Sequence, residues 1–147
     1  MPDQPFEPYL EPTREAGREL FTRNIQGPVV MLNLMRFREI ADYSGAPHLT
    51  PDAPISGEAA YKLYMEHTQP FLIRSGGEVL FYGAGGKYLI GPSEERWDAA
   101  MLVRQASLAS FLAFASDQDY LVGMGHRTAA LEDSRLLPLV DSRGPAR

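Results

Sequence analysis

VVMLNLMRF, Val29–Phe37, is the segment whose reading decides the fold. It is apolar almost throughout, broken only by Asn33 and Arg36. A continuous apolar run of strand length reads as a β-strand covered on both faces. Side chains alternate along a strand, so Val29, Met31, Asn33 and Met35 share one face, and Val30, Leu32, Leu34 and Arg36 the other. One polar residue therefore sits on each apolar face. Gly27-Pro28 marks a turn just before it.

Downstream, residues 78–82 read as a strand. The glycine run 83–86 follows as a hairpin turn or a bulge within one bent strand, and 87–90 continue it until Gly91-Pro92. Residues 97–105 form the next strand, with Ala99, Met101 and Val103 alternating against Ala100, Leu102 and Arg104. Between the first and second strands, Ser56 is an N-cap for a helix reaching about Ser75. Its Glu58, Lys62 and Glu66 make a solvated stripe, while Ala60, Leu63, Tyr64, His67 and Phe71 are placed toward the sheet. Pro70 predicts a kink, and Gly76-Gly77 a stop. Ser107 caps a second helix with apolar Leu108, Phe111, Leu112 and Ala115. Asp117 caps a further helical piece toward Leu131, interrupted near Gly123. A last strand is expected over 136–140, its Pro138 pointing to an edge position.

Upstream, residues 1–12 carry four prolines and read as an extended arm. Thr13 caps a short helix to about Arg23. Residues 41–54 form a long loop with Gly45, Pro47, Pro51 and Pro54, of the kind used as lids or interface arms. The chain thus divides into an arm and short helix (1–26), one domain (27–140) and a flexible tail (141–147).

After the first helix the order is β-α-β-β-α-β. That is a ferredoxin-like α+β domain, an antiparallel sheet with two helices on one face. Helices cover one face only, yet the strands 29–37 and 97–105 are apolar on both. Either a second copy covers the other face, giving a homodimer whose two sheets form an α/β barrel, or the N-terminal helix and the long loop cover it within one chain.

The 147 residues fit a single core; 44% are hydrophobic and 22% charged. The formal charge is −5, with Lys and Arg scattered. This disfavours nucleic acid and anionic membrane surfaces as partners. There are no cysteines, which removes disulfides, thiol catalysis and Cys-bound metals. The polar, Pro-rich start has no secretory character, and a cytoplasmic protein is expected. His48, His67 and His126 have no metal-ligand spacing, so no metal or cofactor is implied. The glycine run leads into a strand rather than a helix and is no phosphate loop.

The ordered motif set resembles a known family. It comprises GPVVMLNLMRFR (27–38), G-x-x-A-Y-x-x-Y (57–64), Pro70 to Gly77, Ile90-Gly91 with Trp97-Asp98, and Asp117-x-x-Tyr120 ahead of H-R-x-A-A (126–130). This set is similar to the domain-of-unknown-function family numbered thirteen-thirty, in the dimeric α/β-barrel superfamily. The resemblance spans roughly 27–140 and implies the fold and a dimer, not an activity. The wider superfamily holds cofactor-free monooxygenases, decarboxylases, isomerase-like enzymes, haem-degrading enzymes and stress proteins.

Two functions follow for the planted polar residues. In the first, the protein is a cofactor-independent enzyme acting on a small carbonyl-containing or aromatic metabolite in the barrel. His67 or Tyr64 then moves protons, Asn33 holds a carbonyl or oxyanion, and Arg36 or Arg104 a carboxylate. Trp97, with Tyr61, Tyr64, Phe81 and Tyr82, lines the pocket. In the second, the protein is a non-catalytic small-molecule-binding or regulatory homodimer. There Asn33 ties down backbone, His67 is a packed core histidine, and the arginines make ion pairs.

Overall fold

The computed structural model describes residues 7–143. Residues 1–6 of the expected arm and 144–147 of the expected tail lie outside the described residues. Thr13 accepts the Ala16 amide and opens α1 (Arg14–Thr22). β1 (Val29–Phe37) follows, then the long loop with a short 3-10 turn, Pro47–Leu49. Next come α2 (Gly57–Arg74), β2 (Glu78–Lys87) and β3 (Arg96–Gln105). Three helical pieces, α3 (Leu108–Ala115), α4 (Gln118–Leu121) and α5 (Met124–Ala130), lead into β4 (Leu131–Leu139). The strands lie in the order β2-β3-β1-β4 with every neighbour antiparallel, the ferredoxin-like arrangement.

The core fills the space between the sheet and its helices. Val29, Met31, Met35 and Phe37 of β1 and Ala99, Met101 and Val103 of β3 meet Ala60, Tyr61, Tyr64 and Leu72 of α2. The buried stripe of α2 is Gly57, Ala60, Tyr61, Tyr64, Thr68 and Leu72. It is rotated from the expected face: Leu63 is 37% exposed, and Tyr61 is the larger buried anchor. The helix runs through Pro70 without ending. Gly57 begins it where no Cβ fits. A methyl there would stand 2.3 Å from the Arg38 carbonyl and 2.6 Å from that of Ala130.

Two strands differ from expectation. β2 continues straight through its glycines, and its irregularity lies between Val79 and Phe81 instead. A Cβ on Gly85 would stand 2.5 Å from the Trp97 carbonyl, so a glycine there permits close pairing with β3. β4 begins at Leu131, five residues before the expected strand, because the polar run Glu132 to Arg135 reads as non-strand. Asp133 and Ser134 are nonetheless buried, each hydrogen-bonded to the Tyr9 backbone. Pro138 lies within β4, which is an edge strand. Its carbonyl accepts the Arg23 guanidinium, so that edge of the residue faces away from β1 and the missing amide proton is not needed there.

The described residues leave the other sheet face largely open. Val30, Leu32 and Leu34 are half-buried, while Leu137, paired with Leu32, is 51% exposed and Phe81, paired with Leu102, is 57% exposed. α1 buries none of its residues. The long loop lies on the helix side: Arg38 and Asp42 donate their amides to Ala130 and Ala129, and Tyr43 joins the core. Neither segment covers the open face.

Candidate functional site

Alternation along the strands divides the expected site residues between the two faces. On the helix side, the Tyr64 hydroxyl lies 2.7 Å from that of Tyr120, which in turn donates to Met124 Sδ at 3.3 Å. Burial, with Tyr64 nearby, holds the Tyr120 hydroxyl far above the ordinary phenol range, and burial does the same to Tyr61. Asn33 falls in phase with Met31 and Met35, and its amide donates to the Met31 carbonyl at 3.2 Å. His67 turns away from the sheet. Its Nε2 lies 2.9 Å from the Asp119 carbonyl and 3.1 Å from that of Tyr120, so this nitrogen carries the proton and ties α2 to α4. Gly123 leaves room for the ring: a Cβ there would stand 2.2 Å from His67 Cδ2.

Arg36 and Trp97 come together at one end of the sheet. Trp97 is 4% exposed yet stands apart from the main core cluster. Its ring centre is 4.9 Å from the Arg36 guanidinium carbon and 5.0 Å from that of Arg135. Arg135 in turn lies 4.8 Å from the Tyr9 ring. Cations and aromatic faces thus alternate in a stack, each contact contributing about 0.5–1 kcal/mol where solvent reaches it. The indole donates to Glu95 at 3.2 Å.

Carboxylates fix this stack in place. Asp133 accepts the amides of Tyr9 and Ser134 and the Arg135 guanidinium, at 2.8, 2.9 and 2.9 Å. Ser134 donates its hydroxyl to the Tyr9 carbonyl, and Arg127 donates to that of Leu10. Asp98 accepts the Phe37 amide at 2.8 Å and Arg96 Nε at 3.3 Å. Beside the stack is a depression of about 300 Å³ lined by Leu32, Leu34, Arg135, Leu136 and Leu137.

Arg104 does not join this group. It pairs with Val30 and Glu78, six residues along β3 from Asp98 and so about 20 Å away. Among the described residues no cluster of three or more His, Asp or Glu is arranged to hold a metal ion, and no helix is long and apolar enough to cross a membrane.

Sequence reasoning missed Arg135 and Tyr9. Arg135 lies in the part of β4 that its polarity disguised, and nothing marks Tyr9 locally. It also missed a pair on the helix side, where the Tyr43 hydroxyl meets His126 Nδ1 at 2.7 Å. Burial first, and His67 second, hold the His126 imidazole below its ordinary value; burial raises Tyr43. The signal was His126 inside the quoted H-R-x-A-A motif.

Two crystal structures of the RPA0582 protein of Rhodopseudomonas palustris, one of them of the methylated protein, are similar to this chain. Both are 34% identical to it over 90% of its length. The match covers 93% and 96% of those chains, with TM-scores of 0.79 and 0.78. RPA0582 is a protein of unknown function. No protein-family model matches the chain, and no curated protein matches it.

Proposed function

We propose that this chain, which belongs to the same family as the RPA0582 protein, is a small-molecule-binding homodimer whose two sheets close face to face around a ligand. One observation carries the reading. The apolar sheet face that the described residues leave open carries Arg36 and Arg135, whose guanidinium groups flank the buried Trp97 ring. An apolar wall with a few placed polar groups is what a ligand pocket requires. A second copy is the occupant that suits the rest of the face, with Leu137 and Phe81 half-exposed upon it. The finer assignment to family thirteen-thirty rests on the ordered motif set alone.

The binding reading is favoured over the enzymatic one by what the expected catalytic groups already do. His67 Nε2 is engaged by two carbonyls, Tyr64 by Tyr120, and the Asn33 amide by the Met31 carbonyl. A proton carrier or oxyanion donor needs those atoms free for substrate.

The test uses the single tryptophan as reporter. Light scattering at micromolar concentration should give twice the 16.3 kDa chain mass. Titration with a panel of small aromatic and aliphatic acids and amides should move Trp97 emission saturably. A monomeric mass together with emission unmoved by every compound refutes the proposal.

A further inference from the structure

Resting on the binding reading above, the state of Arg36 goes further and names the class of ligand. Its side chain is 14% exposed, and among the described residues its one hydrogen bond is from Nε to the Arg96 carbonyl at 3.3 Å. The nearest acid, Glu132, stands 3.9 Å from Nη1, beyond hydrogen-bond reach. The same carboxylate stands 4.0 Å from Arg96 Nη2. Glu132 therefore lies between two guanidinium groups and bonds neither. The neighbouring carboxylates are different in kind. Asp98 and Asp133 each hold a backbone amide at 2.8 Å, and Glu95 holds the Trp97 indole. Those three belong to the fold, while the Glu132 side chain is 41% exposed and free to swing out.

The Arg36 terminal nitrogens reach solvent and make no hydrogen bond to the described residues, so an incoming carboxylate can replace water there with two parallel charge-assisted hydrogen bonds. Leu34 lies two residues from Arg36 on the same strand face, and Leu32 two further, so an apolar body attached to that carboxylate has a floor to lie on. We infer that Arg36 is the anchor for a small monocarboxylate with an apolar body, and that Glu132 is the internal stand-in which this ligand displaces. Dianions are disfavoured because Asp98, Asp133 and Glu95 stay in place.

The experiment titrates the full-length protein with benzoate and the straight-chain acids from acetate to octanoate, each beside its neutral amide, following Trp97 emission. Glu132→Gln, Arg36→Gln and Arg36→Lys are titrated alongside, with mass and melting temperature checked for each. Acids should bind at least tenfold more tightly than their amides. Glu132→Gln should tighten acid binding several-fold and leave amide binding unchanged. Arg36→Gln should abolish the preference for acids, and Arg36→Lys, which keeps the charge without the fork, should restore part of it. Equal binding of acids and amides overturns the inference while leaving the binding reading standing. Acid binding unchanged or weakened in Glu132→Gln removes Glu132 as the stand-in. Failure of every acid and amide to bind overturns the inference, and joined to a monomeric mass it overturns the reading beneath it as well.

Discussion

In the proposed homodimer, replacing Leu137 with glutamate should separate the two copies without unfolding either. Within one chain Leu137 is 51% exposed, on the sheet face that the described residues leave open. A carboxylate there is hydrated in a monomer, and such surface changes shift stability by about 0.5 kcal/mol or less. Face-to-face sheets would bury it, and twofold symmetry would bury it twice. The cheapest escape is protonation. Holding a glutamate of ordinary pKa, about 4.3, neutral at pH 7 costs about 4 kcal/mol, at about 1.4 kcal/mol per pH unit. Two copies raise that to about 7 kcal/mol, or roughly five decades in dissociation constant. Partial hydration at the rim that halves the penalty still leaves more than two decades. Arg135, two residues away on the same face, offers little relief because Asp133 already holds it at 2.9 Å. Light scattering at 10-fold dilution steps should show monomer for Leu137→Glu where the parent chain is dimeric. The dimer should return near pH 4, where the carboxyl is neutral. A variant that stays dimeric at pH 7 with an unchanged melting temperature refutes the sheet-to-sheet arrangement.

The Gly57→Ala change should lower stability by about 3 kcal/mol, the upper end for overpacking, because its methyl meets backbone of β1's exit and α5's end at once. At about 3 °C per kcal/mol that is a melting temperature roughly 10 °C lower by calorimetry. Gly17→Ala, in an exposed helix with nothing within 4 Å of the new methyl, should instead gain about 1 kcal/mol; equal shifts in the two would contradict the packing. His126 has its folded pKa held below the unfolded value of about 6.5, so the unfolded chain binds more protons in that window. Stability should therefore be complete above pH 6.5 and fall as pH drops through the folded value. His126→Gln should flatten that slope in melting temperatures taken from pH 7.5 to 5, and an unaltered slope would assign it to another group.

The fold was legible where apolar periodicity and capping agreed. Val29–Phe37 announced the central strand, and Ser56, Ser107 and Thr13 each accept the amide three residues on, as caps do. It was illegible where tertiary contacts outweighed local polarity. The run Glu132-Asp133-Ser134-Arg135 carries no strand signal of its own. It becomes strand because β1 offers a ladder and Tyr9 satisfies the buried Asp133 and Ser134 from a distance of over a hundred residues. The shifted stripe of α2 has a similar origin. Leu63 and Tyr61 both fit an apolar face by spacing, and the observed rotation is the one that sets Gly57 against the Arg38 and Ala130 carbonyls and Tyr61 in the core.

The site was legible in part for a related reason. Strand parity separates Asn33 from Arg36, but it does not say which face its own helices cover. Once that is known, the polar residues sort by whether the fold uses them. On the helix side His67 meets α4 backbone, Tyr64 meets Tyr120 and Asn33 meets Met31, while the buried Thr68 hydroxyl of α2 has no partner among the described residues. Arg36, on the uncovered face, keeps two terminal nitrogens without a hydrogen bond, and the one carboxylate near them stops short at 3.9 Å. A guanidinium fork that meets solvent beside an apolar face, with its terminal nitrogens free of the described residues, has capacity left for a ligand. The physical distinction between structural and functional polar residues therefore lies in the remaining hydrogen-bonding capacity of each, a quantity that depends on three-dimensional neighbours such as Arg96 and Glu132 and has no signature in residue type or spacing.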